Sequence, residues 1–104
     1  MYKLAISTSG EYVSAAIFDE KLLASFVSKT NRGSTGILLN QINELFDKTK
    51  ANREDLSALY LDVGPGYYTG LRIGLSVSQG LGAVLGIPII PVNGLDALAF
   101  AAHT

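Results

Sequence analysis

The chain has 104 residues, 48% of them hydrophobic and 16% charged, with a net charge of −1 and no cysteine. Its mean hydropathy is +0.31, and its charged fraction falls below the roughly 25% usual in soluble domains. The length allows one small domain. The charge gives no sign of electrostatic capture of nucleic acid by the domain as a whole. The absence of cysteine excludes disulfides and thiolate metal sites and fits a cytosolic protein. The apolar excess calls for a partner surface.

In chain order, Tyr2–Ser7 reads as a strand, Ser7-Thr-Ser-Gly10 as a polar turn, Glu11–Phe18 as a second strand and Leu22–Val27 as a third. Asp19-Glu20 reads as a two-residue hairpin connection, so the three strands form an antiparallel meander. After the polar loop Thr30–Gly36, Ser34 or Thr35 caps a helix that runs to about Lys48, with Leu38, Ile42, Leu45 and Phe46 on one face. Asn52–Asp55 reads as a capped single turn. Ala58–Asp62 is a fourth strand, followed by a glycine-rich turn and a helix over Thr69–Leu85 that ends at Gly86-Ile-Pro88. Ile89–Val92 is a short strand, and Gly94–Ala102 a last, alanine-rich helix. The chain enters its first alternating pattern directly, so no signal peptide is read. No apolar run reaches the roughly 18 residues of a membrane span. The order is β-β-β-α-β-α-β-α, an α/β fold with an antiparallel start and parallel crossovers.

Val63-Gly-Pro-Gly-Tyr-Tyr-Thr-Gly-Leu-Arg-Ile-Gly74 is the most informative stretch. It joins a strand to a helix start, where free backbone N–H groups welcome anions. The spacing is neither that of a P-loop, which needs a Lys-Ser/Thr ending, nor that of the dinucleotide motif. A phosphate cradle built on Gly64 and Gly66, and a purely structural turn, are both compatible with it. In the helix that follows, Gly70, Gly74, Ser78 and Gly82 recur every fourth residue and form a ridge nearly free of side chains. Each helical glycine costs about 0.5–1 kcal/mol relative to alanine, so another backbone must approach. That backbone belongs to the domain's own sheet, to a second chain, or to both, since a helix has two faces.

Other candidates carry weaker signals. Ser7, Thr8 and Ser9 could line a nucleotide cleft, but that segment has no carboxylate, and a plain polar turn also explains it. Asp62 ends a strand where α/β domains place functional groups; alternatively it hydrogen-bonds the turn. Arg72 is the only cation in a long apolar stretch and either pairs with a carboxylate, meets a partner or contacts an anion. His103 is the only histidine, reads as a surface residue and has no second histidine for a metal site. No pairing of a nucleophile with a base stands out.

Leu4-Ala-Ile-Ser-Thr-Ser9, Gly64–Gly74, Gly80-Leu81, Ile87-Pro88 and Val92-Asn-Gly-Leu-Asp-Ala-Leu-Ala99 together resemble the N-terminal lobe of the bacterial TsaB (YeaZ) family, over nearly the whole chain. The resemblance implies an actin-like ATPase (ribonuclease H-like) lobe with a mixed five-stranded sheet. It implies a catalytically silent subunit in the synthesis of threonylcarbamoyladenosine on tRNA, with no cofactor or catalytic residue of its own. TsaD-like and TsaE-like proteins would be its partners, and tRNA would be met only through the complex. The helices matching 34–48 and 69–85 would carry both TsaD docking and a homodimer. The interface residues expected on this basis are Leu38, Ile42, Leu45, Gly70, Leu71, Gly74, Leu75, Ser78 and Gly82.

The departures from the family pattern sharpen this expectation. The family usually has Asp where Ser7 stands, Ser-Phe where Tyr67-Tyr68 stand, and often His-Ser-Glu where Gly33-Ser34-Thr35 stand. Gly94 and Leu98 stand where TsaD has its metal histidines. Family members also carry a second lobe, the other wall of a nucleotide cleft, and without it this chain is a fragment or an isolated lobe. The competing readings are a nucleotide-binding ATPase or kinase lobe of the same fold, and an inactive relative of M22-type peptidases.

Overall fold

The computed structural model describes residues 1–10, 12–29, 34–66, 68–95 and 97, and for 34 and 35 the backbone alone. Five strands form one sheet: β1 (Tyr2–Ser7), β2 (Tyr12–Phe18), β3 (Leu22–Lys29), β4 (Leu56–Asp62) and β5 (Ile89–Val92). Two helices, α1 (Ser34–Thr49) and α2 (Tyr68–Leu85), and a single 3-10 turn at Arg53–Asp55 complete the described elements. The strand order is β3-β2-β1-β4-β5. The first three strands are antiparallel neighbours, whereas β1–β4 and β4–β5 are parallel.

Period-two alternation decides which way each strand faces. Leu4 and Ile6 of β1 sit opposite Ile17 and Ala15 of β2, and opposite Leu59 and Leu61 of β4. All six are buried. They form one core with Leu38, Ile42, Leu45 and Phe46 of α1 and Val77 of α2. Both helices therefore cover the same face of the sheet, and burying each large aliphatic side chain stabilises this layer by about 1.5–3 kcal/mol. Ala5, Ser14, Ala16, Ser25 and Tyr60 alternate with them and line a groove of about 350 Å³ on the other face.

Local chemistry moves several element boundaries. Three residues, not two, join β2 to β3: Asp19 N–H donates to the Lys21 carbonyl at 3.1 Å, and Lys21 N–H returns to Asp19 Oδ1 at 3.0 Å. A three-residue loop needs no left-handed pair, which explains the missing glycine. β3 extends to Lys29 because Tyr12 pairs with it. Asn52 gives no side-chain cap to the 3-10 turn; its carbonyl instead accepts the Asp55 N–H at 3.0 Å. β4 begins at Leu56, and α2 begins at Tyr68 rather than Thr69. The side chains of Ser34 and Thr35, one of them expected as the cap of α1, lie outside the described residues, as do Gly33, Tyr67 and most of the expected last helix with Leu98 and His103. Gly94, Leu95 and Ala97 are helical.

Candidate functional site

The site follows from topology. β1 and β4 are parallel neighbours at the middle of the sheet. From the end of β1 the chain turns towards β2 on one side, and from the end of β4 it passes through α2 to β5 on the other. Such a divergence leaves a crevice at the carboxyl ends of the strands. Because Ile6 is in register with Leu61, Ser7 comes beside Asp62.

Three donors meet on the Asp62 carboxylate. Ser7 Oγ and Ser9 Oγ donate to Oδ2 at 2.8 and 2.5 Å, and Gly64 N–H donates to Oδ1 at 2.9 Å. Gly94 lies against the same group, since a Cβ there would fall 2.6 Å from Oδ1. The Gly94 N–H donates to the Gly64 carbonyl at 2.9 Å. Partial burial pushes the Asp62 pKa up, but the hydrogen bonds from Ser9, Gly64 and Ser7 outweigh it and hold the carboxyl below its ordinary value. A groove of about 330 Å³ opens here, lined by Ser7, Ser9, Asp62, Pro65, Val92 and Gly94 among others.

Asp62 corrects the reading of Ser7–Ser9 as a segment without a carboxylate: the carboxylate arrives from β4. Asp62 also does more than hydrogen-bond the turn, because it ties the exit of β1 to the exit of β4. No local pattern in the sequence signals this. It becomes visible only through the β1–β4 register.

The glycine turn proves to be a packing device. Gly64 has φ +101°, a left-handed conformation suited to glycine, and precedes Pro65 through a cis peptide bond. A Cβ on Gly66 would collide with the Ser9 backbone carbonyl, and one on Gly70 with that of Thr8. Thr8, 2% exposed, donates its hydroxyl to the Gly70 carbonyl at 2.5 Å. Its Oγ1 also fills the space a Gly74 Cβ would need. The backbone that the ridge receives at Gly70 is thus the domain's own, at Thr8. Further along α2, Gly82 meets the Ile89 side chain.

Several residues expected at a partner interface therefore occupy the interior. Leu38, Ile42 and Leu45 belong to the core, and Gly74, Ser78 and Gly82 are buried. The stripe that marks a helix as amphipathic is the stripe its own sheet demands. Gly70 and Leu71 are half-buried, and Leu75 remains 44% exposed. The exposed apolar residues missed in sequence include Ile37, Leu39 and Val84. Arg72 stacks its guanidinium over the Tyr68 ring at 5.5 Å. Among the described residues no cluster of three or more His, Asp or Glu side chains could hold a metal ion.

A mixed five-stranded sheet in this order, with its crevice between β1 and β4, defines a lobe of the ribonuclease H-like, actin-like ATPase class. A structure of RuvC from Thermus thermophilus with a Holliday junction shares the fold alone, at 13% identity and TM-score 0.64 over 91% of this chain and 66% of that one. Residues 22–104 match the family model described as "TsaD: tRNA N6-adenosine threonylcarbamoyltransferase", and the chain belongs to that family, as a relative of its TsaB (YeaZ) proteins. The tRNA threonylcarbamoyladenosine biosynthesis protein TsaB of Buchnera aphidicola from Schizaphis graminum is 32% identical over 92% of this chain. YeaZ from Pseudomonas aeruginosa superposes with TM-score 0.89 at 32% identity over 98% of this chain. The chain spans 46% of the former and 47% of the latter.

Proposed function

We propose that this chain is the N-terminal lobe of a TsaB-type subunit, a non-catalytic scaffold that docks a TsaD-like catalytic subunit in tRNA threonylcarbamoyladenosine synthesis. The observation that carries this reading is the likeness to TsaB and YeaZ proteins along almost the whole chain. The site supports catalytic silence. The Asp62 carboxylate is engaged by three internal donors, and Ser7 replaces the carboxylate that the resemblance leads one to expect on β1.

Docking uses the outward sides of α1 and α2. Ile37, Leu39, Leu75 and Val84 are 41%, 41%, 44% and 83% exposed there. The same surface serves a homodimer when the partner is absent. A TsaE-like ATPase joins the assembly, and tRNA is met through the complex, in keeping with a net charge of −1. None of the described helices is long and apolar enough to cross a membrane, and the cytoplasm is the compartment that fits this role. Co-purification with a TsaD homologue tests the reading: Leu75→Glu, at an exposed position, is expected to abolish co-elution while leaving the fold intact. Unchanged co-elution would move the docking surface elsewhere.

A further inference from the structure

The crevice between β1 and β4 has the chemistry of an oxyanion site. Two hydroxyls, from Ser7 and Ser9, and the backbone N–H of Gly64 converge on the two oxygens of one carboxylate. These donor types bind phosphate or carboxylate at strand ends and glycine turns. A groove of about 330 Å³ opens onto them. We propose that Asp62 is an internal anion that fills the lobe's own oxyanion site and so keeps external phosphate groups out.

Two effects act together. The three donors are already occupied, at 2.5 to 2.9 Å. The remaining described residues lining the groove carry no charge, so the Asp62 carboxylate gives it a negative sign that repels a second anion. Gly94 leaves the space in which that carboxylate rests. The inference concerns the lobe itself and stands whether or not a TsaD-like protein docks on α1 and α2.

The test uses the isolated chain. Thermal unfolding and titration calorimetry are run with sodium phosphate and with sodium formate, against sodium chloride at equal ionic strength. Asp62→Ala is expected to bind both oxyanions at least about tenfold more tightly than the parent chain, with a matching rise in its unfolding midpoint. The parent chain and the triple variant Ser7→Ala/Ser9→Ala/Asp62→Ala should respond no more than they do to chloride. If Asp62→Ala does not fold, Asp62→Asn replaces it. That side chain can still accept from Gly64, and its charge is gone. It should bind phosphate more weakly than an open site but more tightly than the parent. A folded Asp62 variant that binds no better than the parent overturns the proposal, as does binding that survives loss of both serine hydroxyls.

Discussion

Ser9 donates its hydroxyl to Asp62 Oδ2 at 2.5 Å across a separation of 53 residues. With Ser7 on the same oxygen, this contact fixes the exit of β1 to the exit of β4. The donors that such a crevice offers to a ligand are here engaged by the chain's own carboxylate. The same exit segment, through Thr8, is fastened to the first turn of α2, so the helix proposed for docking takes its position from the site.

Moving the carboxylate should be tolerated better than doubling it. Ser7→Asp brings a second carboxylate beside the first, and like charges in contact raise one pKa and destabilise. We expect a loss of roughly 1–3 kcal/mol at neutral pH. Ser7→Asp/Asp62→Ser should recover most of that loss, as chemical denaturation of the single and double variants would reveal. Equal stability of the two would mean that the groups do not interact.

The pH dependence has a definite sign. The folded pKa of Asp62 lies below its ordinary 3.8, so the carboxylate contributes stability above that value and loses it as pH falls through the folded one. The stability difference between the parent chain and Asp62→Asn should be level near neutrality and shrink below about pH 4. Denaturation midpoints measured from neutral to acid pH give this difference directly. A difference that stays constant through the acid range would contradict the charge-based account.

Glycines of one helix should behave oppositely. Gly80 has open space where a Cβ would stand, whereas at Gly70 that Cβ meets the Thr8 carbonyl oxygen. Gly80→Ala should gain about 0.5–1 kcal/mol from helix propensity. Gly70→Ala should lose roughly 1–3 kcal/mol through overpacking and displacement of Thr8. Urea unfolding of the pair separates backbone approach from propensity.

Ser78 is fully buried and its hydroxyl has no hydrogen-bond partner among the described residues. An orphaned hydroxyl in the interior costs about 1–3 kcal/mol. Ser78→Ala should therefore leave stability unchanged or raise it by about 1 kcal/mol, read as a higher thermal midpoint.

Much of this fold is legible in the sequence because its signals are local. Alternation in Tyr2–Ser7, the helical spacing of Leu38, Ile42 and Leu45, and the stop at Gly86-Ile-Pro88 each act within a few residues. The site is less legible because it depends on register. Nothing near Ser7 announces Asp62; only the parallel pairing of β1 with β4 brings them together. The glycine ridge shows the complementary difficulty. Its spacing demands a close neighbour without saying which, and the neighbour turns out to be Thr8. The core residues of α1 mislead for a related reason, since one apolar stripe serves a sheet as well as a partner.

The docking claim is tested most directly by light scattering on a sizing column, with this chain mixed with a TsaD homologue. A stable complex is expected, one that Leu75→Glu or Val84→Glu disperses without unfolding the chain. Separate elution of the two proteins at every concentration, with this chain monomeric on its own, would contradict it.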